Sequence, residues 1–513
     1  MASVVNSFTI NGIEGHLVEV ETDTIMGMHS VSIVGLADTA VKEAKERLEA
    51  ALSHLKFSFP PQKVLFNLAP SDMKKSGTHF DLPMAIGILL RTNQIKPIIL
   101  MNDTGFIGEL SLNACVRPVS GVLPMAVKAR EIGITQLIVA NENLREAKLV
   151  KGIEVCGCKS LREVIDFLEG KNQVNMQPQN APKLSYPNSI KLPIDFEDVK
   201  GHEILIDFIT IAAAGGHNMI MVGPPGCGKS MIAKRIPTIL PSMNDDEALE
   251  VTKIYSVANL LKHKGYLIKE RPFRSPHHNA SPNSLIGGGR QARPGEISLA
   301  HNGVLFLDEI AEFSKKALEA LRQPLEDRIV TVTRVSETNT YPASFMLVAA
   351  MNPCPCGYYG QEKCRCTDYE IIKYRQKISG PILDRMDIQK YVSSVNFFDN
   401  NDTKNSSTGM RTRITMARQK QYKRYSKLPH ITSNAQLTPA LLKEFCHLDH
   451  ASLSLLQKAH ERLHYSGRSI HKIIKVARTI ADLDNSDEIH QTHIMKSLMS
   501  RDLDKDDKQF VTV

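Results

Sequence analysis

The 513-residue chain predicts an α/β fold in several parts, and three observations carry that prediction. An apolar run, Met219–Val222, enters a glycine-rich loop and leaves it as a helix-forming segment. Two further apolar runs, "GVLFLDE" (303–309) and "SFMLVAAMNP" (344–353), each end in polar residues at a strand-to-loop boundary. Strand-like runs also alternate with helically spaced ones from the N-terminus onward. At this length one hydrophobic core cannot serve the whole chain, and about three domains are expected.

Taken in order, residues 1–168 read as a first α/β domain. "SFTINGIEGHLVEVETD" (7–23) and "HSVSIVGLA" (29–37) alternate like strands. "DTAVKEAKERLEAALSHL" (38–55) and "DLPMAIGILLRT" (81–92) place apolar residues at helical spacing. "QLIVANENLREAKLV" (136–150) reads as a strand leading into a helix. Residues 169–193 are polar, contain proline and lack periodicity, as a linker does. A second α/β domain spans 194–395. After the polar stretch "FFDNNDTKNSSTGM" (397–410), residues 396–513 are largely helical.

No run approaches eighteen uninterrupted apolar residues, and the N-terminus lacks the basic start and apolar core of a signal peptide. No membrane span and a cytoplasmic location are therefore expected. The formal charge of +8 is compatible with nucleic acid but does not single it out.

The sharpest motif is Gly223-Pro224-Pro225-Gly226-Cys227-Gly228-Lys229-Ser230, set between a strand and a helix. Such a loop wraps phosphates in backbone N–H groups, and the helix N-terminus adds a favourable dipole. Lys229 is placed to reach β and γ phosphates, and the Ser230 hydroxyl to bind Mg²⁺. Behind such a loop, Asp308 would hold Mg²⁺ through its water shell and Glu309 would polarise the attacking water. Asn352, ending the third apolar run, would sit beside the γ-phosphate. Arg385, in "SGPILDRMDI" (379–388), is either an ion-pair partner of Asp384 or Asp387, or an arginine finger serving a neighbouring subunit.

Four of the nine cysteines fall within thirteen residues, as Cys354-x-Cys356-x₇-Cys364-x-Cys366. Disulfides are uncommon in the expected compartment, and four thiolates in one short loop make a set that suits Zn²⁺. Free thiols in a loop ordered by proline and glycine, or a redox switch, are the alternatives. The basic tract 411–425 places Arg411, Thr415, Arg418 and Tyr422 on one helical face, either for DNA or as a solvated surface.

Several long motifs then converge: "FRSPHHNAS", "IGGG", "RPGEISLAHNGVLFLDEIAEF", "LEALRQPLEDRIVTVTR", "AAMNPCPCGYY", "SGPILDRMDI" and "RSIHKIIKVARTIADL". Together they resemble the magnesium-chelatase-like AAA+ ATPases, and within them the competence-associated ComM/YifB group. The resemblance implies an AAA+ P-loop domain with a parallel sheet, followed by a C-terminal helical lid. It implies ATP and Mg²⁺ as cofactors and a homo-oligomeric, hexameric ring. Asn352 becomes the first sensor, Arg385 the arginine finger and Arg468 the second sensor arginine. Two insertions are implied within 271–300 and 328–345, with Arg290, Arg293 and Arg334 as candidate DNA contacts.

The N-terminal domain resembles the protease-like domain of Lon along "GTHFDLPMAIGILL" (77–90) and "GELSLNACVRPVSGVLPMAVKAREIGI" (108–134). Asp81 stands where that family has its serine, and Leu123 where it has its lysine. Ser76, Lys74 and Lys75 do not restore a nucleophile–base pair, so a catalytically dead binding or assembly module is expected. The group's activity implies a helicase or translocase that promotes branch migration of single-stranded or branched DNA in natural transformation. A chelatase motor subunit and a protein-remodelling ATPase are the alternatives.

Overall fold

The computed structural model of the chain describes residues 2–171, 194–261, 267–289, 292–334, 337–393, 405–428 and 430–504. The expected linker lies outside the described residues from position 172 onward.

The N-terminal part is a mixed seven-stranded sheet. Its strands are β1 (Ser3–Asn11), β2 (Glu14–Ile25), β3 (Ser30–Val34), β4 (Lys63–Ala69), β5 (Thr104–Ile107), β6 (Gln136–Ala140) and β7 (Glu154–Cys158), ordered β3-β4-β2-β1-β5-β6-β7. β1 and β2 form a long antiparallel pair, registered Ser3 to Thr22 through Asn11 to Glu14. β5, β6 and β7 extend the sheet in parallel. The helix Asp81–Arg91 is buried on almost every face, as its near-continuous apolar sequence requires.

The central part is an all-parallel five-stranded sheet. Its strands are β8 (Met219–Val222), β9 (Phe273–Arg274), β10 (Val304–Leu307), β11 (Met346–Met351) and β12 (Ile388–Tyr391), ordered β9-β10-β11-β8-β12. β8 lies between β11 and β12, pairing Met219 with both Val348 and Ile388. Every residue of β8, β10 and β11 is buried, which explains why these strands read as unbroken apolar runs. Two additions interrupt this layer. The short helices Pro282–Ile286 and Glu296–Leu299 flank the small antiparallel pair Gly287–Gly288 and Arg293–Pro294. A hairpin, Ile329–Arg334 with Glu337–Pro342, precedes β11.

The C-terminal part is helical: Ser407–Arg424, Pro439–Phe445, His450–Leu463, Gly467–Leu483 and Gln491–Leu498. Asp482 is buried beneath Arg424 (2.5 Å), Arg478 (3.0 Å) and Asn434 (2.8 Å), so its charge is fully paired. The last described residues return to the sheet edge, where Lys390 meets Asp502 at 2.6 Å.

The N-terminal part packs on the central one. Ser256 donates to the half-buried Glu146 at 2.5 Å, and the Gly121 amide donates to the Ser256 carbonyl at 3.3 Å. The turn between β1 and β2 lies so close to the hairpin that a Cβ on Gly12 would stand 2.7 Å from the Thr340 carbonyl. Among the described residues no helix is long and apolar enough to cross a membrane.

Candidate functional site

β8 delivers the chain into the glycine-rich loop at its C-terminal edge. Gly226 (φ +77°) and Gly228 (φ +85°) take left-handed backbone, which the turn into the helix Lys229–Ile239 requires. At Gly223 closeness decides instead, since a Cβ would lie 2.3 Å from the Val392 carbonyl. The buried Lys229 ammonium donates to the carbonyls of Gly223 (2.7 Å) and Pro224 (2.9 Å) and to Asn352 Oδ1 (3.3 Å). Lys229 and Asn352, far apart in sequence, thus meet across one loop.

Ser230 Oγ donates to Asp308 Oδ2 at 2.6 Å. A hydroxyl and a carboxylate converging beside a phosphate loop are hard oxygen donors of the kind Mg²⁺ takes. Glu309 follows in left-handed backbone (φ +50°), a costly conformation away from glycine, and its amide donates to Asp308 Oδ1 at 3.0 Å. Its half-exposed carboxylate faces His278 Nδ1 at 3.6 Å. Sequence reasoning missed His278, although the "SPHH" stretch just after β9 was visible. It also missed His202, whose ring bonds to the backbone of Cys227 and whose pKa burial lowers.

Two residues beyond Asn352, the cysteine cluster closes on itself. The four Sγ atoms lie within 4.8 Å of one another, with Cys354–Cys356 at 3.4 Å, Cys356–Cys364 at 3.7 Å and Cys354–Cys364 at 3.9 Å. Among the described residues no other group of metal-type ligands is gathered in this way. Backbone amides of Arg365 and Tyr358 draw the Cys356 thiol down to about 6, while burial, and then the neighbouring sulfurs, raise the other three.

Arg385 and Arg468 lie elsewhere. Both line a cavity of about 380 Å³ between the central sheet and the C-terminal helices. Its wall includes Asn218, whose side chain donates to the Arg385 carbonyl at 3.1 Å just before β8 begins. The cavity therefore opens at the N-terminal edge of the sheet. The phosphate loop is at the opposite edge, a four-residue strand of about 13 Å away. Arg385 pairs with Glu326 and donates to the Pro381 carbonyl at 2.7 Å, but its buried Nε has no partner among the described residues. Neither Asp384 nor Asp387 is its salt-bridge partner. Asp387 instead pairs with His217 at 3.2 Å. Burial alone would raise the Asp387 pKa, but His217, Lys472 and Lys475 outweigh it and hold the group at about 2.

Of the candidate DNA contacts, Arg293 is exposed on its short strand. Arg290 lies outside the described residues. Arg334 sits at the hairpin's end, with its side chain outside them. The face carrying Arg411 and Arg418 is not an open surface. Arg411 donates to Ser242 at 2.7 Å, and Arg418 donates to the carbonyls of Ala213 (3.2 Å) and Thr432 (3.3 Å). The helix packs there on the central part, so Arg411 is spent on a hydroxyl and Arg418 on helix and loop carbonyls. In the N-terminal part, Asp81 is clasped by Arg47 at 2.6 and 3.0 Å and accepts from the Leu110 amide, while Leu123 is fully buried.

Comparison with known proteins agrees with this geometry. The families described as "Magnesium chelatase, subunit ChlI", "Subunit ChlI of Mg-chelatase" and "Magnesium chelatase, subunit ChlI C-terminal" match residues 195–399, 20–143 and 404–501. The competence protein ComM of Haemophilus influenzae is 38% identical, over 97% of this chain and 96% of that protein. YifB of Escherichia coli is 38% identical, over 98% of this chain and 97% of its own length. Lon protease 2 of Bacillus subtilis is 29% identical over 32% of each chain. The chain belongs to the ComM/YifB group of magnesium-chelatase-like AAA+ ATPases.

Proposed function

We propose that this protein is an ATP-driven, ring-forming DNA translocase that promotes branch migration of incoming DNA in natural transformation. The carrying observation is the division of its charged apparatus between two edges of one sheet. Lys229, Ser230, Asp308, Glu309 and Asn352 gather at the phosphate loop. Arg385 and Arg468 line a cavity at the far edge. An arginine about 13 Å or more from its own phosphate loop is suited to complete a neighbour's site. Such division favours a closed ring in which each interface holds one nucleotide.

The cofactors are ATP with Mg²⁺, and Zn²⁺ in the cysteine cluster. Bound Mg²⁺ would supply charge neutralisation at the phosphates, held through Ser230 and Asp308. Lys229 exchanges its loop carbonyls for phosphate oxygens, Asn352 and Glu309 orient and polarise water, and Arg385 and Arg468 offer cationic charge from the next subunit.

DNA as the substrate is supported by the similarity to a protein named for competence, along nearly the whole of both chains. The hairpin ahead of β11 and the exposed Arg293 are the surfaces we assign to it. The Lon-like N-terminal part favours a second reading, a protein-remodelling motor whose inactive protease fold recruits clients. Migration of a labelled three-stranded DNA junction separates the two. ATP-dependent migration, lost in Glu309→Gln, supports the translocase. A junction left unmoved under conditions of active turnover refutes it.

A further inference from the structure

The cysteine loop does more than bring four sulfurs together. A tetrahedral Zn²⁺ with bonds of about 2.3 Å separates its thiolates by about 3.8 Å. Among Cys354, Cys356 and Cys364 the separations, 3.4, 3.7 and 3.9 Å, bracket that value, and Cys366 completes the set within 4.8 Å. The backbone supports the set: the Cys356 amide donates to Cys366 Sγ at 3.4 Å, and the Gly357 amide closes the turn on the Cys354 carbonyl at 3.0 Å. An amide aimed at sulfur helps to hold a thiolate in place around a metal.

The loop is also wedged into the nucleotide site. Gly357, directly after Cys356, has φ +84°, and a Cβ there would stand 2.7 Å from Pro225 Cδ in the phosphate loop and 3.9 Å from Asn352 Cγ. Cys354 is fully buried two residues after Asn352. On the loop's outer side Arg375 reaches the Pro353 carbonyl at 3.4 Å and stacks over the Tyr359 ring at 5.0 Å.

We propose that Zn²⁺ in the Cys354–Cys356–Cys364–Cys366 cluster acts as a positioning clasp, setting Asn352 and the Pro225 wall of the phosphate loop for ATP turnover. This rests on the reading of the cluster as a zinc site. The ion makes no contact with the reacting phosphates. It fixes the turn at Gly357, which bears on the loop, and the short Asn352–Cys354 connection. Without it, a loop held only by its own turns lets Asn352 drift from Lys229. A displacement of that kind, near 1 Å, costs on the order of 100-fold in rate.

The test uses the full-length protein, with metal content by mass spectrometry and steady-state ATP turnover. The wild type is expected to carry one zinc per chain. Cys364→Ser is expected to lose it, with kcat falling 10- to 100-fold. Cys364→His, which keeps a zinc-compatible ligand, recovers zinc and much of that loss. Gly357→Ala keeps its zinc but raises KM for ATP on the order of tenfold, because the added methyl meets Pro225 in a strained backbone. A wild type fully active with no zinc, or with iron in its place, overturns the zinc reading. Zinc lost from Cys364→Ser with kcat unchanged leaves the zinc reading intact and overturns the clasp. If Cys364→Ser fails to fold, Gly357→Ala decides alone, and an unchanged KM there overturns the clasp.

Discussion

Mixing two inactive variants tests whether Arg385 works across a subunit boundary. Lys229→Ala removes the ammonium that bonds the Gly223 and Pro224 carbonyls and Asn352, and leaves Arg385 intact. Arg385→Ala removes the guanidinium with the orphan buried Nε and leaves the phosphate loop intact. Each alone should lose on the order of 1,000-fold or more in turnover, the range found when an arginine finger is withheld. In an equimolar mixture with random assembly, a competent interface needs a site from an Arg385→Ala subunit and a finger from a Lys229→Ala subunit. Each occurs with probability one half, so about one quarter of interfaces are restored. The assay is ATP hydrolysis across mixing ratios, with subunit exchange verified by tagged chains. Recovery should peak at the equimolar point near one quarter of the wild-type rate. Flat, inactive mixtures despite proven exchange would refute the placement of Arg385 in the neighbour's site.

Other expectations follow from the same geometry. Glu309→Gln should bind ATP yet hydrolyse it at least 100-fold more slowly, measured by nucleotide binding beside turnover. His278→Ala should alter kcat with KM for ATP nearly unchanged, because the ring faces Glu309 at 3.6 Å. Asp387→Asn leaves Lys472 and Lys475 without their buried counter-charge and should cost about 3–5 kcal/mol, read as a lowered Tm. Asp387 sits at about 2 when folded, against about 3.9 unfolded. Its contribution is therefore present above pH about 4 and lost as pH falls through about 2. Arg47→Ala strands the buried Asp81 carboxylate and should lower the Tm of the N-terminal part in differential scanning calorimetry.

What could be read in the sequence was what the chain encodes locally. The phosphate loop, the Asp308–Glu309 pair and Asn352 are consecutive residues at strand ends, so the strand, the loop and the side-chain types are all visible together. The cysteine spacing likewise gave the cluster, since one short loop closes it. Residues whose partners come from other elements were harder. Arg385 and Arg468 were each recognisable in a turn or helix start, but only the packing of the C-terminal helices on the sheet brings both to one cavity. Arg411 and Arg418 looked available on a helical face because a basic stripe does not reveal which hydroxyls and carbonyls it will meet. His278 becomes relevant through β9 lying beside β10, and Gly357 through a φ and a contact that no spacing encodes.

The most direct measurement is ATP hydrolysis with no DNA, with single-stranded DNA and with forked DNA, comparing wild type with Lys229→Ala. A large stimulation by DNA, absent from the variant, is the predicted result. Wild-type turnover that proceeds at the same rate whether or not DNA is present would contradict the account.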